Sequence, residues 1–191
     1  MEHTIIIAGS GGQGTLFLGR LMAYATLLEN KEVTWMPSYG AEMRGGTANC
    51  TVIISDEMIG SPVIRNPHIL VVMNDASYSR FAGKLRPGGM LLYDSSLIGR
   101  TDHRDDIKVL GVPASMLSAT MNSTKLANMV MMGAFVSCTG ILSLDSVIEA
   151  LNDITPANKK NTMDLNKHLI NKGFDIIENT KSQHSRRKKD P

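Results

Sequence analysis

Cysteine is scarce in this 191-residue chain, which has only Cys50 and Cys138, far apart in the sequence. A structural zinc site or an iron–sulfur cluster takes about four protein ligands, so two thiols cannot supply one by themselves. The five histidines are scattered and lack metal-binding spacing. We therefore expect no metal site in this chain. Because no disulfide framework is indicated either, we expect a reducing, cytoplasmic location.

An excess of positive charge is also lacking over most of the chain. The formal net charge is +2 at pH 7, but residues 181–191 hold five basic residues against one acidic residue. The rest is slightly acidic and has no basic surface suited to nucleic acid. We expect residues 1–180 to form one folded domain, and residues 181–191 to be a basic, disordered tail.

Long hydrophobic runs are absent except for residues 126–144, which carry no charge. That length approaches the roughly 20 apolar residues that cross a bilayer. The segment also contains Asn, Ser and Thr, so a helix buried inside a globular core explains it better. The first apolar run is short and is followed by glycines, so no cleavable signal segment is indicated. We expect no contact with a membrane.

Short β-branched runs alternate with helical patterns along the chain. The predicted strands are residues 4–8, 32–36, 47–55, 69–73, 90–93 and 108–112, with 57–59 folding back on 47–55 as a hairpin. The predicted helices are 15–29, 74–84, 123–138, 144–152 and 156–171, the last one capped by Thr155, closed by Gly173 and followed by a short strand at 174–177. This order predicts an α/β fold with a single doubly wound, mostly parallel (mixed) sheet flanked by helices, Rossmann-like, with extra C-terminal helices.

The first glycine-rich motif reads Gly9, Ser10, Gly11, Gly12, Gln13 and Gly14, between a predicted strand and a predicted helix. Glycines there allow a tight turn and close approach to an anion at the helix N-terminus. A dinucleotide site also wants an acid at the end of the second strand. That position reads Thr-Trp-Met-Pro, and Glu32 lies at the wrong end of the strand. The missing acid therefore disfavours NAD. It leaves a non-nucleotide or phosphate-bearing ligand, or a turn used only for packing or subunit contact.

The second motif is a loop that follows the second strand, where ligands bind in α/β sheets. It reads Ser38, Tyr39, Gly40, Ala41, Glu42, Met43, Arg44, Gly45 and Gly46. Glu42 and Arg44 lie two residues apart and point the same way in an extended loop. They could anchor a charged ligand or pair with a neighbouring subunit. We find no catalytic constellation elsewhere in the sequence.

Together these two motifs resemble the gamma subunit of 2-oxoacid:ferredoxin oxidoreductases, and the stretches 59–62 and 128–134 resemble further parts of that family. The likeness covers about residues 4–173. It implies an oxidoreductase subunit, inactive alone, in an enzyme that decarboxylates a 2-oxoacid, acylates coenzyme A (CoA) and reduces ferredoxin. The second loop looks like the branch acting on 2-oxoglutarate or branched-chain 2-oxoacids.

The resemblance also implies the partners and cofactors. Alpha, beta and delta-type subunits would hold thiamine diphosphate, Mg and the iron–sulfur clusters, with CoA as cosubstrate. The candidate binding residues of this chain are Gly9, Ser10, Gly11, Gly12, Gln13, Gly14, Ser38, Tyr39, Gly40, Glu42, Arg44, Gly45 and Gly46. Two alternatives stay open: a non-catalytic assembly scaffold of that complex, and a free-standing nucleotide-binding oxidoreductase.

Overall fold

The fold is a six-stranded mixed sheet with helices on both faces, seen in a computed structural model that describes residues 1–38, 47–99, 104–121, 123–156 and 161–187. The strands are β1 Glu2–Ser10, β2 Glu32–Ser38, β3 Thr47–Ser55, β4 Ile69–Val72, β5 Met90–Asp94 and β6 Lys108–Val112. The α-helices of the described residues are α1 Thr15–Leu28, α2 Asp75–Phe81, α3 Ala114–Thr120, α4 Ala127–Thr139, α5 Leu144–Ile154 and α6 Met163–Arg187. This confirms the predicted fold class.

The sheet order is β2-β3-β1-β4-β5-β6, and β3 alone runs against the others. The predicted hairpin between 47–55 and 57–59 is wrong, because β3 pairs with β1 on one side and β2 on the other. An alternating apolar pattern shows that a segment is a strand but does not identify its partner. Strand β2 includes Pro37, which is tolerated because β2 lies at the edge of the sheet.

Two apolar cores lie on opposite faces of the sheet, because successive side chains of a strand point to opposite sides. Ile5 and Ile7 of β1 belong to the larger core, which α1, α4 and α5 cover. Ile6 and Ala8 belong to the smaller core, which α2 covers with Tyr78 and Phe81. Helices on both faces explain why the middle strands are apolar almost throughout.

Helix α4 is buried on all sides. Every residue from Ala127 to Ser137 is buried, which confirms the buried helix predicted for the uncharged stretch. Within the described ranges, no helix is long and apolar enough to cross a membrane.

The C-terminal prediction needs three corrections. Helix α6 does not end near Gly173 but continues to Arg187, and no strand forms at 174–177. Gly173 lies where α6 crosses α4, against the backbone of Val130, so it serves close packing rather than termination. Thr155 ends α5 and donates its hydroxyl hydrogen to the Leu151 carbonyl at 2.6 Å, instead of starting the next helix. Helix α3 was not predicted.

Candidate functional site

The loop of residues 9–14 is held in shape by Gln13. The Gln13 Oε1 atom accepts from the Ser10 amide at 2.6 Å, and the Gln13 amide donates to the Ser10 carbonyl at 3.2 Å. The Gln13 Nε2 atom donates to the Met73 carbonyl, at the end of β4, at 2.8 Å. The side chain therefore closes its own loop and ties that loop to the neighbouring strand.

Three glycines of this loop are required by its geometry. Gly12 and Gly14 have φ of 92° and 74°, a region that other residues rarely adopt. A Cβ atom on Gly9 would lie 2.7 Å from Gln13 Oε1 and 3.1 Å from Met73 Cβ. The turn thus depends on glycine both for its backbone angles and for close contact with β4.

The loop leads directly into the N-terminus of α1. Gly14 is the N-cap residue, and because glycine has no side chain it caps none of the first-turn N–H groups. No acidic residue lies in that first turn. Asn128 of α4 holds the turn in place, because its Nδ2 atom donates to the Gly14 carbonyl at 3.2 Å. The positive end of the helix is arranged to receive an anion.

Asn74 links this loop to the next helix. Its Nδ2 atom donates to the Ser10 hydroxyl, and its Oδ1 atom accepts from the Ser77 amide at 2.8 Å, which caps α2. The chain leaves β1 and β4 toward opposite faces of the sheet, so their carboxyl ends form the crevice where α/β proteins bind ligands. Asn74 begins the helix predicted over residues 74–84 and caps α2, but the sequence did not indicate it as part of a site.

The second predicted motif is only partly within the described residues. Ser38 ends β2, opposite Asn49 of β3. The other candidates lie outside the described residues: Tyr39, Gly40, Glu42, Arg44, Gly45 and Gly46.

The ends of β1 and β2, where the two motifs begin, lie at one edge of the sheet, but β1 and β2 are not neighbours. Strand β3 lies between them, pairing Ser10 with Thr47 and Ser38 with Asn49. Because β1 and β2 run in the same direction, their carboxyl ends are two strand spacings apart, about 10 Å. The inserted β3 also separates the end of β2 from the glycine loop, unlike the arrangement in dinucleotide-binding folds.

The described residues show no cluster of three or more side chains that could hold a metal ion. The two cysteines are free. Burial raises the pKa of Cys50 to about 12 and that of Cys138 to about 11, so neither thiol is activated as a nucleophile near neutral pH. The described residues at this edge of the sheet are arranged to bind an anionic ligand at the start of α1.

A Rossmann-like domain with a glycine loop at the point where neighbouring parallel strands diverge belongs to the class of α/β ligand-binding domains. Residues 4–176 match the family model described as pyruvate ferredoxin/flavodoxin oxidoreductase. The chain therefore belongs to that family, which confirms the resemblance drawn from the two motifs.

Curated relatives agree with this assignment. The chain is 36% identical over 177 residues to ketoisovalerate oxidoreductase subunit VorA of Methanothermobacter marburgensis, covering 91% of this chain and 36% of that protein. It thus spans about a third of the length of the VorA relatives. It is 33% identical over 180 residues to 2-oxoglutarate synthase subunit KorC of Methanocaldococcus jannaschii, covering 92% of this chain and 94% of that one.

Solved structures share the fold. The gamma subunit of a keto/oxoacid ferredoxin oxidoreductase from Geobacter sulfurreducens matches with a TM-score of 0.82 and 26% identity, over 93% of this chain and 97% of that chain. A 2-oxoglutarate:ferredoxin oxidoreductase from Magnetococcus marinus, solved with 2-oxoglutarate, coenzyme A and succinyl-CoA bound, matches with a TM-score of 0.85. Its identity is 24%, over 93% of this chain and 31% of that chain, so it shows the fold alone.

Proposed function

We propose that this chain is the gamma-type subunit of a thiamine diphosphate-dependent 2-oxoacid:ferredoxin oxidoreductase, acting on 2-oxoglutarate or a branched-chain 2-oxoacid. The observation that carries the proposal is the family match over residues 4–176. The VorA and KorC relatives are named for ketoisovalerate and 2-oxoglutarate, which supports the substrate class. Thiamine diphosphate, Mg and the clusters belong to alpha, beta and delta-type partners, and ferredoxin takes the electrons.

Within that complex, the role of this chain is to shape the face where CoA binds. Support comes from the uncapped N-terminus of α1 and from the glycine loop pinned by Gln13 and Asn74 at the switch between β1 and β4. Phosphates are favoured ligands of such a helix end. The loop after Ser38 begins at the same edge of the sheet and supplies Arg44, a cation able to form paired hydrogen bonds with a phosphate or carboxylate.

The test is an Arg44→Ala variant in the assembled complex. Loss of one charge-assisted contact, worth about 1.5–3 kcal/mol, should raise the apparent KM for CoA or slow acyl transfer roughly tenfold to a hundredfold. Lys172→Ala, which removes a cation from an exposed position of α6, is a control for a general loss of charge. A complex that assembles fully with unchanged CoA kinetics would contradict the CoA role and favour the assembly scaffold.

A further inference from the structure

A cavity of about 240 Å³ lies at the amino edge of the sheet, where the parallel strands β1, β4 and β5 begin. Its wall includes the side chains of His3, His68 and Arg86. A second cavity of about 230 Å³ adjoins it through His3. Because His3 and Ser10 lie seven residues apart in β1, this amino-edge cavity is about 23 Å from the glycine loop. The two sites are therefore separate.

Donor groups face both nitrogens of the His68 ring. The Thr4 amide donates toward Nδ1 at 3.1 Å, and Nη1 of Arg86 contacts Nε2. A neutral imidazole has one acceptor nitrogen and one N–H, and the Thr4 hydroxyl, which also contacts Nδ1, is the acceptor for that N–H. When the ring is protonated, Nε2 becomes a donor that faces the donors of the guanidinium. An acceptor between Arg86 and the imidazolium would then satisfy both.

Arg86 has no carboxylate partner among the described residues. Two carboxylates near this edge pair with other cations. Asp56 accepts from the N-terminal amine at 2.6 Å, and Glu29 accepts from Lys31 at 2.7 Å. The Arg86 side chain is exposed, and its planar guanidinium can form paired hydrogen bonds with an oxyanion. This unpaired cation is thus suited to hold an anion against the cavity.

The charges around His68 are mostly positive. Burial lowers the pKa of His68, and the positive charges of Arg86 and His3 lower it further. The exposed carboxylate of Glu2 acts in the opposite direction. An oxyanion beside the ring would raise this pKa, because it stabilises the imidazolium.

His3 has a similar environment. Burial lowers the pKa of His3, the N-terminal amine and Lys31 lower it further, and Asp56 raises it. The centres of the His3 and His68 rings are 6.3 Å apart, in an edge-to-face arrangement, so one small anion can contact both rings. Since a bound anion raises both pKa values, binding is coupled to proton uptake and weakens as pH rises.

We propose that the amino-edge cavity is a second ligand site, which binds a small oxyanion of the phosphate or sulfate type at Arg86, His3 and His68. The guanidinium donates a pair of hydrogen bonds to the oxyanion, and each protonated ring donates one. A dianion fits best, because the guanidinium carries one positive charge and each ring adds one when it is protonated. A free ion and a phosphate monoester present the same chemistry. The site does not depend on the proposed function.

Calorimetric titration of the full chain with sodium sulfate tests the site, with the ionic strength held constant by sodium chloride. Sulfate stays a dianion from weakly acidic to weakly basic pH, so a pH dependence of binding comes from the protein. We expect binding at about pH 6 and binding at least about fivefold weaker at about pH 8. Absence of binding at the lower pH, or equal affinity at both, would overturn the proposal.

Proton NMR of the histidine rings locates the bound ion. Sulfate should raise the pKa of His3 and His68 relative to chloride at equal ionic strength. It should leave the ring signals of His168, at an exposed position of α6, unchanged. Equal changes at all three histidines would show non-specific ion binding and overturn the proposal.

Arginine variants separate the site from the general charge of the chain. Arg86→Ala should weaken sulfate binding about tenfold or more, because a charge-assisted contact is lost. Arg65→Ala, at an exposed position shortly before β4, is the matched control and should bind like the wild type. Unchanged affinity of Arg86→Ala would overturn the proposal. Titration with inorganic phosphate and with glycerol phosphate then identifies the source by the tighter ligand. None of these readouts requires the complex, so their failure would leave the proposed function untouched.

Discussion

Gln13 is the residue on which the shape of the glycine loop depends most. Its side chain makes one bond to Ser10 and one to Met73. We expect Gln13→Ala to lower the free energy of unfolding by about 1–3 kcal/mol, because the Ser10 amide and the Met73 carbonyl lose their side-chain partner. Each kcal/mol corresponds to about 2–4 °C in Tm for a chain of this size. Thermal unfolding of the wild type, of Gln13→Ala and of an Asn171→Ala control measures this loss of stability. A Gln13→Ala chain with the Tm of the wild type would contradict the role assigned to Gln13.

The two thiols give a prediction about pH. Burial raises the pKa of Cys50 to about 12 and that of Cys138 to about 11, against an ordinary 9.0 in the unfolded chain. Below pH 9.0 the thiols are protonated in both states and contribute no pH dependence. Above it the unfolded chain loses protons that the folded chain retains, so the free energy of unfolding falls as pH rises.

Urea unfolding at about pH 8 and about pH 10 tests this, with a Cys50→Ala/Cys138→Ala variant as the reference. The wild-type chain should lose more stability between the two pH values than the variant does. The same fall in both proteins would show that the thiols are not responsible.

At the residue scale, the sequence identified the glycine loop because strand, glycines and helix are contiguous. It did not identify Asn74 and Asn128 as parts of the site. Asn74 meets Ser10 across 64 residues, and Asn128 meets Gly14 across 114 residues. A single asparagine at a strand end or inside an apolar helix has no local signal that reveals such a distant partner.

At the scale of elements, the crossing of α4 and α6 depends on two glycines. A Cβ atom on Gly133 would lie 2.7 Å from the carbonyl carbon of Ile170, and one on Gly173 would lie 2.8 Å from that of Val130. Alanine is intrinsically better in a helix by about 1 kcal/mol. Because the obstacle is backbone, we expect Gly133→Ala or Gly173→Ala to destabilise by about 3 kcal/mol or more.

Chemical denaturation measures this, with Gly83→Ala as the matched control, since a Cβ atom there meets nothing within 4 Å. The control should stay close to wild type. If Gly133→Ala or Gly173→Ala raised the free energy of unfolding, α4 and α6 would not approach each other this closely.

The strands of residues 4–8, 69–73, 90–93 and 108–112 were predictable because buried parallel strands read as short apolar runs. The insertion of β3 between β1 and β2 was not, since register and partner depend on the whole sheet. Gly173 was misread because glycine commonly ends helices, whereas here it permits close packing. Helix α6 also continues into the segment for which disorder was predicted, and Lys181 donates to the Ser137 carbonyl at 2.7 Å.

At the scale of the whole molecule, the described residues place the candidate binding features together. These features are the glycine loop, the uncapped N-terminus of α1 and the end of β2 at Ser38, and they lie at one edge of the sheet. The VorA relatives carry this domain within a polypeptide almost three times as long, whereas KorC matches nearly end to end. The same domain thus forms part of a longer polypeptide in VorA and nearly the whole polypeptide in KorC. Such a domain is suited to work as one part of a larger assembly.

The central claim, that this chain acts only as part of a 2-oxoacid:ferredoxin oxidoreductase, is tested most directly by purifying the native complex through this chain. Reduction of a viologen dye is then measured with the complex and with the isolated chain. We predict reduction that requires CoA and a 2-oxoacid in the complex, with 2-oxoglutarate or a branched-chain acid preferred to pyruvate, and none with the chain alone. Activity of the isolated chain, or a native complex without such activity, would contradict the account.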